Sequence, residues 1–181
     1  MKRLLIFPCI ILLTNVCIPF AGLSQTAKNT VNVNGIQSLL RVNKEEEASQ
    51  VANDKKVLWS TIHIKALSDF EKSYNSTNEK WYSTVNGYVA RFTSNGEVNR
   101  IFYDQKGNFV YSIRQYDEFQ LPVMIRHIIK QTYYDHSITL VEELNFPTVE
   151  KQYVVHMQDA KTWTNVLVKD DDAIVIETTR K

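Results

Sequence analysis

"YVARFTSNGEVNRIFYDQKGNFVY", Tyr88–Tyr111, lies without gaps on "YVVHMQDAKTWTNVLVKDDDAIVI", Tyr153–Ile176, when the chain is slid along itself by 65 positions. Identities are few, but the apolar positions coincide: Phe92 with Met157, Ile101 with Val166, Phe102 with Leu167 and Phe109 with Ile174. In this register Asp170-Asp171-Asp172 falls on Gln105-Lys106-Gly107 of "YDQKGN". That segment has the composition of a hairpin turn, because Asp starts such turns and Gly supplies a positive-φ residue. The three aspartates therefore read as a turn between two final strands, since Asp tolerates the left-handed position. A calcium loop needs further oxygen ligands at alternate positions, a glycine and a closing glutamate, whereas Ala173, Ile174, Val175 and Ile176 follow here.

The segments before each copy also correspond. "LPVMIRHIIKQTYYD" places Pro122 where a first helical turn accepts it and sets Ile125, Ile128, Ile129 and Tyr133 on one helical face. "KALSDFEKSYNS" spaces Ala66, Phe70 and Tyr74 by four. Each helix leads into a strand, Trp81 to Val85 or Thr139 to Leu144, and Asn86-Gly87 closes the first hairpin tightly, whereas "NFPTVEK" makes a longer loop. The expected fold is α+β: two tandem repeats of a helix plus a four-stranded antiparallel sheet, with the helices packed on one sheet face. The repeats span about 57–116 and 117–181.

Upstream, Lys2 and Arg3 precede an apolar run broken by Pro8, Asn15 and Pro19, and Gly22-Leu23-Ser24 offers a small-x-small cleavage site before Gln25. This pattern predicts a signal peptide over 1–24 and a periplasmic or secreted mature protein. The run is too short and interrupted for a membrane anchor, and bulky Val16 disfavours lipid attachment at Cys17. Both cysteines lie in the signal, so the mature chain has no disulfide or cysteine nucleophile. Loss of Lys2 and Arg3 takes 21 basic residues to 19 against 20 acidic ones, a net −1 that argues against a nucleic-acid or anionic-membrane partner. Residues 25–56 are polar, with Ile36, Leu39 and Leu40 as a short apolar cluster and Glu45–Glu47 as a solvated charge run, and read as a flexible leader before one domain at 57–181.

The strings "WYSTVNGYVARF", "YDQKGNFVYS" and "QLPVMIRHIIKQTY" resemble the PepSY-like, β-lactamase-inhibitor-like proteins of bacterial envelopes over roughly Val57–Lys181. Trp81, the Tyr88-x-Ala90-x-Phe92 strand, Tyr103-Asp104-x-x-Gly107 and Leu121-Pro122 carry the resemblance; none is a catalytic residue. It implies an exported two-repeat α+β protein that binds something. The second copy departs from the pattern by lacking the turn glycine.

Asn95-Gly96 makes a two-residue hairpin that pairs Arg91 with Arg100, Ala90 with Ile101 and Val89 with Phe102. One face then collects Tyr88, Ala90, Phe92, Ile101 and Tyr103 as the helix-covered core. A three-residue loop at Gly107 adds Phe109, Tyr111 and Ile113 to that face, and a four-residue loop sends them to the other. The opposite face gathers Val89, Arg91, Val98, Arg100, Phe102 and Arg114 with Val154, His156, Trp163, Asn165 and Leu167. Two readings of this face stand. Arginines set directly across a hairpin repel, so a face that keeps them beside Trp163 and Phe102 has the make-up of a binding surface. Alternatively, the arginine stems simply cover an open sheet.

Catalysis finds no purchase. His63, His127, His136 and His156 lack a metal-ligand spacing, the adjacent pairs Glu142-Glu143 and Asp117-Glu118 point to opposite sides of a strand, and no phosphate loop or nucleophile elbow occurs. Asn75-Ser76-Thr77 matches a glycosylation sequon but reads as a chance occurrence at a helix end. The sequence thus predicts a non-enzymatic binding protein with no cofactor, holding an unidentified envelope or extracellular protein or peptide through Arg91, Arg100, Phe102, Arg114, His156, Trp163 and Asn165. The alternative is a carrier of a small anionic or aromatic compound gripped by Arg91 and Arg100.

Overall fold

The computed structural model describes residues 35–37, 59–74 and 76–181. The expected signal peptide, the cleavage point before Gln25, most of the 25–56 leader and Asn75 of the sequon lie outside them. Eight strands follow one another, through short connections except between the fourth and fifth: β1 Lys80–Thr84, β2 Gly87–Ser94, β3 Glu97–Asp104, β4 Phe109–Tyr116, β5 Ser137–Asn145, β6 Gln152–Gln158, β7 Thr162–Lys169 and β8 Asp172–Arg180. Helix α1, Ile64–Ser73, precedes β1, and α2, Val123–Thr132, joins β4 to β5. Each strand pairs antiparallel with its predecessor, as the short connections require and as β4 and β5 also do across α2. The order is β1 to β8 in a single sheet. The element order is therefore a helix and four strands, then a helix and four strands. The strands do not form two separate sheets, because β4 pairs with β5 from Ser112↔Asn145 to Tyr116↔Val141.

The turns have the backbone that their residues favour. Asn95 (φ 53°) and Gly96 (φ 81°) close β2–β3 with Ser94 opposite Glu97. Asp170 (φ 50°) and Asp171 (φ 64°) close β7–β8 with Lys169 opposite Asp172. The acidic run is thus a two-residue hairpin turn with both central residues left-handed, the twist that suits flanking strands. The β3–β4 turn is the three-residue form: Gly107 has φ 75°, and the Asp104 carboxylate accepts from the backbone N–H groups of Lys106 and Asn108, both at 2.8 Å. In the first hairpin the turn residues are Val85 and Asn86, one position earlier than expected, with Thr84 paired to Gly87. Gly87 is needed for closeness: a Cβ there would sit 2.0 Å from the Tyr103 carbonyl oxygen.

Side-chain alternation sorts the core. Ala66 and Phe70 of α1 are buried with Trp81, Ala90, Phe92, Ile101 and Tyr103, and the Tyr103 hydroxyl donates to Asp69 of α1 at 3.0 Å. Ile129 of α2 is buried with Val155, Met157, Val166 and Val168, flanked by Ile125, Ile128 and Tyr133. The strand after Gly107 follows neither expected register. Tyr103 pairs with Phe109, but Phe102 pairs with Tyr111, so Val110 is an extra residue in a bulge. Phe109 stays with the α1 cluster, while Tyr111 and Ile113 turn to the opposite face, where Tyr111 stacks on Phe102 with ring centroids 4.2 Å apart. On that face Leu144, Val154 and Leu167 are fully buried, and Ile36 of the helical Gly35–Gln37 turn packs on them.

Two substitutions test this backbone reading. Gly87→Ala is expected to lower stability by about 2 kcal/mol or more, through a clash that only main-chain movement relieves. Asp170→Asn with Asp171→Gly is expected to raise it by about 0.5 kcal/mol, by supplying residues that enter the left-handed region more readily. Thermal or urea denaturation measures both.

Candidate functional site

On the face away from α1 and α2, successive strands contribute one polar side chain each to a continuous row. Arg100 of β3 reaches Glu142 of β5 at 3.5 Å, and Gln115 of β4 donates to the same carboxylate oxygen at 2.7 Å. The other oxygen lies 3.2 Å from His156 Nε2 of β6. His156 Nδ1 is 2.8 Å from Asn165 Oδ1 of β7, and Asn165 Nδ2 donates to Glu177 of β8 at 3.0 Å. The amide of Asn165 is oriented by Glu177, so it presents its oxygen to the ring. Glu142 presents only acceptors as well. The ring thus lies between two acceptor oxygens, one on each nitrogen, and Arg100 approaches the Glu142 carboxylate from the other side.

Burial opposes ionisation of Glu142, but the hydrogen bond and charge of His156, the Gln115 amide and the charge of Arg100 outweigh it and hold the carboxyl below its ordinary value. Glu143, the next residue, points to the helix-bearing face. There burial is again outweighed, by Lys151 at 2.8 Å and Arg114 at 2.7 Å, and its carboxyl is also held low. The Tyr116 hydroxyl donates to Glu143 at 3.1 Å, and burial beside that carboxylate raises the phenol's pKa.

The residues singled out from the sequence do not all meet. Arg91 and Arg100 are cross-strand partners as expected, and Phe102, His156, Trp163 and Asn165 share their face. Arg114 does not: the bulge at Val110 shifts the parity of β4, so Arg114 pairs with Asn99 and Glu143 on the helix-bearing side and lies 5.0 Å from the centre of the Tyr116 ring. Arg100 is 5% exposed and committed to Glu142, so it is no free anchor. Nor is the face open throughout, since Val154 and Leu167 lie beneath Ile36. Trp163 is 46% exposed and flanks the row two positions along β7 from Asn165, with Lys181 Nζ 4.8 Å above its ring. Sequence reasoning missed Gln115 and Glu177 and set Glu142 aside as half of an adjacent acidic pair: the β4–β5 register is set across α2, and a bulge beside Asn165 brings Glu177 opposite it.

No protein-family profile matches the chain, and no curated protein sequence matches it significantly. Solved structures do match. A BLIP-like protein from Bacteroides fragilis NCTC 9343 superposes with a TM-score of 0.57 at 17% identity, over 71% of this chain and 91% of that one. The fold is BLIP-like. A DUF2874 family protein from Bacteroides uniformis ATCC 8492 gives 0.54 at 17% identity, over 64% and 87% of the two chains. A protein provisionally called periplasmic, from Bacteroides eggerthii DSM 20697, gives 0.55 at 14% identity, over 66% and 88%. Among these the BLIP-like half of the expected resemblance recurs and the PepSY half does not. At such identities the likeness reaches the fold and no further.

The pH dependence of stability follows from the lowered carboxyls. A group whose folded value lies below its unfolded value stabilises the fold above the unfolded value and loses that contribution as pH falls through the folded one. Glu142 and Glu143 are therefore expected to contribute fully above their ordinary value of 4.5 and to produce a loss of stability below it. Glu142→Gln is expected to make that acid limb shallower. Glu142→Leu, which removes the anion shared by Arg100 and His156, is expected to cost about 3 kcal/mol or more at neutral pH. Urea titrations from pH 7 to pH 3 provide the comparison.

Proposed function

We propose that this chain is a periplasmic or secreted binding protein without catalytic activity, in an inhibitor-like or sensor-like role. In this reading it is built from two copies of one helix-and-four-strand unit, whose helices share a sheet face and leave the other for a protein or peptide partner. The observation that carries the proposal is the polar row across β3 to β8, bordered by the half-exposed Trp163. Six strands of one sheet hold these side chains, so little conformational entropy is left to lose when a partner arrives. Tryptophan at the margin of such a strip is the residue type that most often anchors a protein interface. Export is supported by the basic start and apolar run before Gln25, and by the provisionally periplasmic fold neighbour. No described helix is long and apolar enough to cross a membrane.

A small-ligand carrier has less support. A described cleft of about 240 Å³ lies on the helix-bearing side, lined by Ile125, Lys151, Tyr153, Val168 and Lys169 among others, and falls below the usual size of ligand sites. It shares no residue with the polar row.

The test is capture from envelope extract with the mature protein, followed by affinity measurements on variants. Trp163→Ala is expected to weaken capture by about 2 kcal/mol, some thirtyfold, while leaving the melting temperature nearly unchanged. Arg91→Ala is expected to slow association with an acidic partner. A domain that unfolds on Trp163→Ala, or a partner that binds every row variant normally, would remove this face from consideration.

A further inference from the structure

The apolar strip beside the polar row belongs to the same three strands. Leu144 and Glu142 alternate on β5, Val154 and His156 on β6, and Leu167 and Asn165 on β7, so each strand supplies one row residue and, two positions away, one apolar residue on the same side. Leu144, Val154 and Leu167 are all fully buried, with Phe146 and Ile176 packed at their margin. Neither α1 nor α2 lies on this side. Ile36 covers it instead, itself fully buried, while Gln37 donates its side-chain amide to the Ile176 carbonyl of β8.

Several features mark this as a ligand-like contact. Gln37 and Ile176 are 139 positions apart in sequence, and Gly35 beside them is exposed. A Cβ added at Gly35 would meet nothing within 4 Å, and the contacts of the turn among the described residues include the Ile36 side chain in an apolar socket and an amide bond to a strand carbonyl. One aliphatic anchor in a pocket with a hydrogen bond to an edge strand is the grammar of short-peptide recognition. Leu144, Val154 and Leu167 each lie two positions along their strand from Glu142, His156 and Asn165, so the socket adjoins the row.

We propose that the Leu144–Val154–Leu167 socket is a peptide-binding subsite, occupied in cis by Ile36 and Gln37. Its partner is a segment of the same chemistry, a helical turn bearing an aliphatic side chain followed by a side-chain amide, which takes the place of Ile36 and lays its neighbouring residues on the polar row. This rests on the reading of the row face as the binding surface, and it names what that surface accepts.

The probe is a labelled synthetic peptide, VNVNGIQSLLR, copying residues 31–41. It is titrated into the mature full-length protein, wild type and with Ile36→Asp or Ile36→Ala. The Ile36→Asp protein is expected to stay folded and to bind the peptide saturably, with at least tenfold weaker binding to wild type, whose own segment competes. Ile36→Ala is expected to fall between them. A peptide carrying aspartate at the Ile36 position is expected not to bind. Equal binding to wild type and variants overturns occupation in cis, as does a concentration-dependent dimer exchanging its leaders. Loss of folding in Ile36→Asp together with absence of peptide binding to Ile36→Ala overturns the proposal by making Ile36 ordinary core; so does a folded Ile36→Asp protein that ignores the peptide. Peptide binding without any Trp163-dependent partner leaves the socket assigned and refutes the row as the capture surface. Trp163-dependent capture without peptide binding does the reverse.

Discussion

The pairing of β4 with β5 is the constraint on which the rest of the structure depends. It turns two four-stranded halves into one sheet, and it does so across α2, where no tight turn dictates the register. The adjacent glutamates fix the alignment. Glu142 faces Arg100, Gln115 and His156 on one side, and Glu143 faces Arg114, Lys151 and Tyr116 on the other. A slip of one residue would send each carboxylate to the wrong face, away from its partners and into a setting where an uncompensated buried charge costs several kcal/mol. Buried ion pairs contribute little net stability against an apolar alternative. Here the two clusters reject neighbouring registers.

Much of this architecture was legible in the chain, and the parts that were not share a physical cause. Asn95-Gly96 specifies a tight turn, so the β2–β3 pairing of Arg91 with Arg100 and the burial of Ala90, Phe92, Ile101 and Tyr103 follow from local chemistry. The spacing of Ala66 and Phe70, and of Ile125 and Ile129, gave the helices their inward faces. The bulge at Val110 has no signature in composition, and one inserted residue was enough to carry Arg114 from the expected surface to the opposite one. Glu142 was visible only as half of an unremarkable acidic pair, because its partners lie on strands reached through α2. Ile36 belonged to an apolar cluster too short to show a period, so its seat on Leu144, Val154 and Leu167 could be found only in three dimensions.

The two faces of the sheet are held in different ways. Beneath α1, aromatic rings meet edge to face, with Phe70 and Trp81 centred 5.3 Å apart and Phe70 and Phe92 5.4 Å apart, and one phenol ties helix to strand through Asp69. Across the sheet, beside the apolar cluster of Leu144, Val154, Leu167 and Ile36, ionic and amide contacts run in single file from Arg100 to Glu177. Aromatic packing tolerates small displacements, whereas a file of hydrogen bonds fails at its weakest member and polarises along its length. The first arrangement suits a permanent core. The second holds side chains such as the buried Arg100 and Glu142 in one fixed arrangement.

An open sheet has two ends, and the outer one here is β8, nine residues long with Ile174 and Val175 exposed. Such an edge is a template on which further copies of the chain could stack. Its ends are guarded by charge: Asp170, Asp171 and Asp172 at one end, Arg180 and Lys181 at the other. In a parallel in-register fibril each of these would lie about 4.8 Å from its own like-charged copy above and below, which works against that assembly. The aspartate run that forms the last hairpin thereby also has the character of a gatekeeper, a block of like charge flanking an apolar edge strand.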